Sequence, residues 1–163
     1  MRRNKIIQNL KYKEYVRRIE EHEKDRIFCK HDMIHFLDVC RLSEILWLKN
    51  KEAYLDKVNT ELIYAAGLLH DVGRWQEYEE GVRHEIASAR LSVEILKECG
   101  FEKQEIDEII LSIGNHRNKE VKEEFTLSGI LYRADKMSRS CFCCKAEKEC
   151  VWDISKKNME IYY

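Results

Sequence analysis

The chain has 163 residues, 44% hydrophobic and 36% charged, enough to bury one sizeable core, so a single domain is expected over residues 1–163. Its 29 Lys and Arg offset 30 Asp and Glu, and a net charge of −1 gives neither nucleic acid nor a membrane surface an electrostatic hold. No apolar run reaches the roughly 18 residues of a membrane-spanning helix, the basic N-terminus lacks the apolar stretch of a signal peptide, and a chain with no Pro and only 6 Gly disfavours a turn-rich β fold.

The elements therefore read as helices. Residues 4–24 carry Ile6, Leu10, Tyr15 and Ile19 at loose helical spacing among charges and predict one amphipathic surface helix. A second helix starts near Asp32, with His35, Val39, Leu42 and Leu46 along one face. A third runs from Thr60, read as its N-cap, through LIYAAGLLH to about Gly73, and its nearly all-round apolar character makes it the most buried helix. Residues 74–82 read as a polar loop. Further helices are predicted over 84–98, ending at Gly100, over 102–116 with Ile106, Ile109, Ile110 and Ile113, and over 126–139 from Thr126. The expectation is an all-α bundle of about six helices, with its core in residues 30–139 and a short cysteine-rich tail over 140–163.

Seven cysteines without an export signal point to a reducing, cytoplasmic compartment, where they serve as thiols or metal ligands rather than disulfides. Cys141, Cys144 and Cys150 form C-x2-C-x5-C, a spacing that suits zinc or an iron–sulfur cluster, and Cys29 is the leading candidate for a fourth ligand of a structural site. Unliganded thiols in a tight turn are the competing reading.

The chemistry lies where His and Asp interrupt apolar faces. His35 sits on the Val39/Leu42/Leu46 stripe, His70-Asp71 closes the most apolar helix, His116 follows Ile109 and Ile113, and Asp135 follows Leu127 and Leu131. A carboxylate on an apolar face is costly unless it is paired or binds a cation. Each of these residues alone is readily a satisfied core histidine, an ion pair or a cap. Together, His35, His70, Asp71 and Asp135 offer the imidazole and carboxylate donors of a divalent-metal site.

In that order, and with HFLDV, LLHDVGR and YRADKMSR around them, these residues resemble the H…HD…D signature of HD-domain metal-dependent phosphohydrolases, over about residues 30–139. The resemblance implies a helical fold, a divalent ion (Mn, Fe, Zn, Co, Ni or Mg) on His35, His70, Asp71 and Asp135, and hydrolysis of a phosphomonoester or phosphodiester in a small molecule such as a nucleotide. It further implies a candidate second metal on His84 and His116, with Asp71 bridging. In that reaction an ion-activated water attacks phosphorus, Asp71 bridging the ions where there are two or helping to orient the water where there is one, and Lys136 and Arg74 beside the ligands are the leading phosphate-holding cations, joined by Arg83, Arg117 and His31 as substrate contacts. The alternatives are an HD-type diiron oxygenase with a similar ligand set and a non-catalytic, metal-stabilised binding module.

Overall fold

The computed structural model describes residues 1–53 and 58–163, and among these it contains eight α-helices and no strand. They are α1 (Arg2–Gln8), α2 (Leu10–His22), α3 (Met33–Lys49), α4 (Thr60–Leu69), α5 (Arg74–Glu80), α6 (His84–Cys99), α7 (Lys103–Asn115) and α8 (Leu127–Met137). No helix among the described residues is long and apolar enough to cross a membrane.

The single helix predicted over 4–24 is two. Asn9 adopts an extended backbone at φ −64°, ψ 132° and accepts hydrogen bonds from the Lys11 and Tyr12 amides, ending α1 and capping α2 at once. The break changes which residues are buried: Ile6, Tyr12, Val16 and Ile19 enter the core, whereas Leu10 stands exposed. α3 begins as its sequence predicts, capped by Asp32, with Val39 and Leu42 buried. α4 starts one residue off expectation, because Asn59 rather than Thr60 accepts from the Glu61 and Leu62 amides.

α4 is the central helix, touching α1, α3, α6, α7 and α8. Its approach to α3 depends on Gly67, where a Cβ would lie 2.6 Å from Cys40 Sγ. The helix stops at Leu69 instead of near Gly73, so His70 and Asp71 sit in a turn. The polar loop predicted over 74–82 is in fact α5. Its charged sequence hides two inward residues, Trp75 and Gln76, and Gly81 ends it in the left-handed conformation at φ 70°. Gly73 joins the turn to α5 beneath α6, and a Cβ there would lie 2.3 Å from the Ser88 amide nitrogen. α6 packs on α7, and α8 packs on α3 and α7. Helices α3, α4, α6, α7 and α8 thus converge around the turn that carries His70 and Asp71.

The cysteine tail does not form the site that its spacing suggests. A tetrahedral zinc with bonds of about 2.3 Å places its sulfurs about 3.8 Å apart. Among the described residues, no three ligating atoms that include a cysteine lie within 4.8 Å of one another, and Cys29, Cys141, Cys144 and Cys150 are free thiols. The tail is fastened by hydrogen bonds instead. Asn158 Nδ2 donates to the Lys136, Met137 and Arg139 carbonyls, at 2.8, 3.2 and 2.9 Å, and so satisfies the end of α8. Lys157 holds Glu147 at 2.7 Å.

Candidate metal centre

Four histidines from different parts of the chain meet around Asp71, and the Nδ1 of each is anchored from behind. His70 Nδ1 donates to the Gly67 carbonyl at 2.8 Å, one turn back in α4. His116, just past α7, donates Nδ1 to the Ile113 carbonyl at 2.7 Å. His84, the first residue of α6, donates Nδ1 to the Glu77 carboxylate at 2.7 Å. His35 Nδ1 lies 3.2 Å from Ser138 Oγ, whose own hydrogen is given to the Asp135 carbonyl at 2.8 Å, so the hydroxyl accepts from the ring. Carbonyls and carboxylates only accept, so each Nδ1 carries a proton, and a ring so anchored, when neutral, presents its Nε2 lone pair to the centre.

Those lone pairs face one another. His35 Nε2 is 3.1 Å from His70 Nε2, and His84 Nε2 is 3.2 Å from His116 Nε2. Two acceptors at hydrogen-bond distance repel unless a cation or proton lies between them. Asp71 supplies the balancing negative charge: Oδ2 is 3.5 Å from His70 Nε2 and 3.7 Å from His35 Nε2, and Oδ1 is 3.2 Å from His84 Nε2 and 3.6 Å from His116 Nε2. Oδ1 is buried and has no hydrogen-bond partner, an arrangement that costs free energy in a carboxylate and fits a cation ligand. The result is two groups of ligating atoms, His35/His70/Asp71 and Asp71/His84/His116, each mutually within 4.8 Å and both sharing Asp71.

Asp135 lies outside these tight groups but beside the first, with Oδ1 3.7 Å from His35 Nε2 and 3.9 Å from His70 Nε2, and with Lys136 paired to Oδ2. The electrostatics agree with ligand chemistry. Burial pushes His70 down to about 3 and also lowers His116, keeping both neutral. Burial opposes ionisation of Asp71, but Arg74 and His70 outweigh it and hold the carboxyl well below its usual range. Asp135 is lowered against burial, chiefly by Lys136. Burial also works against a charge on His35, yet Asp71 raises it overall, so a proton there meets part of the need that a metal would.

Of the residues read as cationic contacts, Arg74 and Lys136 reach the centre. Arg74 Nε, buried and without a hydrogen bond, is 3.5 Å from Asp71 Oδ2, and Lys136 Nζ lies 3.5 Å from the His116 carbonyl. Arg117 is half-exposed at the rim, 3.9 Å from Glu77 and 3.7 Å from Glu85. Arg83 is 68% exposed and paired with Glu85, and the structure does not bring it to the centre. His31 is buried, with Nε2 3.7 Å from Asp71 Oδ2. The anchors Glu77, Ser138 and Glu23 escape a sequence reading. Glu77 lies in the unrecognised α5, and Ser138 and Glu23 have no periodic pattern that marks them.

The HD domain family matches residues 33–140, and the chain belongs to that family. It is 42% identical over 160 residues to an uncharacterized protein of Clostridium beijerinckii, covering 98% of each chain. Its fold is similar to the crystal structure of a predicted HD superfamily hydrolase from an uncultured Thermotogales bacterium. The TM-score is 0.62 at 22% identity, over 90% of this chain and 81% of that one.

Proposed function

We propose that the protein is a metal-dependent phosphohydrolase with a two-ion centre, acting on a small phosphorylated molecule such as a nucleotide. His35, His70, Asp71 and Asp135 would hold one divalent ion, and His84, His116 and Asp71 would hold the second. The observation that carries this reading is the pair of opposed Nε2 contacts, at 3.1 and 3.2 Å, with one buried carboxylate turned to both. HD-family membership supports it, as does the fold shared with a protein described as a hydrolase.

A bound divalent ion supplies Lewis acidity toward a phosphoryl oxygen and lowers the pKa of water toward about 7. The chain's own part is to position and to balance charge. Asp71, shared by both ligand groups, would balance the charge of both ions, Arg74 and Lys136 hold phosphoryl oxygens beside the ligands, and His31 offers a further polar contact. Arg117 at the rim meets the more distal part of the substrate. The buried rings of His70, His84 and His116 exclude bulk water from the inner side. The same six ligands also suit two irons, the oxygenase reading, but Arg74 and Lys136 beside the centre favour a phosphorylated substrate.

The test is turnover of p-nitrophenyl phosphate, bis(p-nitrophenyl) phosphate and a nucleotide panel by protein loaded in turn with Mn, Fe, Co, Ni, Zn and Mg. Phosphoester hydrolysis, read as release of p-nitrophenol or phosphate, that is lost in Asp71→Asn supports the assignment. Oxygen consumption by the iron form without phosphoester hydrolysis would replace it with the oxygenase reading.

A further inference from the structure

Glu23 ends α2, ten residues before the segment that matches the HD family begins, and is only 3% exposed. A carboxylate suits this position poorly. It sits at the negative end of a helix dipole, and burial removes its hydration. Three hydrogen bonds offset that cost. Oε2 accepts the His31 backbone N–H at 2.6 Å, while Oε1 accepts His31 Nδ1–H at 2.5 Å and the Tyr78 hydroxyl at 2.6 Å. These contacts, of which the His31 side chain is foremost, overcome burial and hold the carboxyl down at about 2.

The consequence lies at the other end of the imidazole. With Nδ1 committed to Glu23, the nitrogen left to the centre is Nε2, 3.7 Å from Asp71 Oδ2. His31 thus repeats the pattern of the four ligands, anchored at Nδ1 and aimed at Asp71 through Nε2, yet it belongs to neither tight group of ligating atoms. It also lines a cavity of about 180 Å³ with Glu20, Glu23, Lys30 and Asp32, so it stands between the centre and the surface.

We infer that Glu23 is a positioning residue for the proposed phosphohydrolase centre. It fixes the ring of His31 so that the doubly protonated imidazole, one N–H on the Glu23 carboxylate, donates its Nε2–H to a phosphoryl oxygen of the substrate, and it ties that ring through Tyr78 to α5, the helix that carries Arg74. The inference rests on the proposed reaction and adds to it a residue supplied by α2.

The experiment compares Glu23→Gln, His31→Gln and the double variant in metal-loaded protein, by p-nitrophenyl phosphate turnover and by calorimetric binding of inorganic phosphate. Each single variant lowers kcat/KM by about 10–100-fold, the range of outer partners of metal-site groups. The double variant is no worse than either single one, since the two residues act as a unit. Phosphate affinity falls in the same pattern, Glu23→Asp recovers part of the loss, and metal content and helicity stay at the wild-type level. In NMR spectra the downfield His31 Nδ1–H resonance moves upfield in Glu23→Gln. Additive losses, unchanged turnover, an unmoved resonance, or loss of metal from His31→Gln would overturn the inference while leaving the reaction standing. A wild-type protein that neither hydrolyses nor binds phosphate would instead overturn the proposed reaction, and this role of Glu23 with it.

Discussion

Asp71 Oδ1 lies 3.2 Å from His84 Nε2, while Oδ2 of the same carboxylate lies 3.5 Å from His70 Nε2, so one side chain serves both halves of the centre. Replacing it cannot damage one half alone. Asp71→Asn keeps the shape but removes the charge, and metal content should fall below one ion per chain with the helices intact by circular dichroism. Two retained ions would show that the carboxylate does not bridge.

Glu77 gives the second half its own handle. It holds His84 Nδ1 at 2.7 Å and, among the described residues, contacts no other proposed ligand, its further partners being Arg74 at 3.2 Å and Arg117 at 3.9 Å. Glu77→Gln should weaken one of two binding events by about 10–100-fold and leave the other unchanged, as read by metal titration. Equal weakening of both would mean that Glu77 supports the fold rather than His84.

The turn that presents His70 and Asp71 depends on a close approach to α6. Gly73→Ala would place a Cβ 2.3 Å from the Ser88 nitrogen and 2.6 Å from the Ala87 Cβ, contacts that backbone cannot absorb locally. A loss of about 1–3 kcal/mol follows from overpacking of this kind, measured as a lower midpoint in chemical denaturation. An unchanged midpoint would show that α5 is free to shift from α6.

Acid should destabilise the metal-free protein before its carboxylates titrate. Burial holds His70 at about 3 and lowers His116 as well, whereas an unfolded histidine protonates near about 6.5. Below that pH the unfolded state gains protons that the folded state excludes, so this stability is complete above about 6.5 and is lost as pH falls toward 3, at about 1.4 kcal/mol per pH unit for His70, with His116 acting in the same direction. His35, shifted upward, acts only above about 6.5, and Glu23, shifted down to about 2, acts only below about 4.5, which leaves the window between to His70 and His116. Denaturation of chelator-treated protein at pH 7, 6 and 5 reads the slope, and a flat profile would contradict it.

Five of the six proposed ligands are legible in the sequence because each breaks an apolar period: His35 on the α3 stripe, His70-Asp71 at the end of α4, His116 after Ile113 and Asp135 after Leu131, whereas His84 opens α6 and breaks none. What supports them is not. Ser138, Glu77 and Glu23 act through single hydrogen bonds across the fold, and such contacts leave no periodicity along the chain. α5 was hidden for a related reason, since a short helix with two inward residues among charges resembles a polar loop until its partner α2 is in place. The C-x2-C spacing carries less: it fixes only the local reach of two sulfurs, and although Cys141 and Cys144 lie near enough to Cys29 to act on its thiol, among the described residues no cysteine joins a group of ligating atoms within 4.8 Å, and the tail is held by Asn158 and Lys157.

The central claim is two ions sharing Asp71, and metal stoichiometry measures it most directly. Elemental mass spectrometry on protein saturated with manganese or iron and freed of excess should give two ions per chain, falling to one in His84→Ala and in His116→Ala. A wild-type protein that saturates at one ion, or takes up none, would contradict the account.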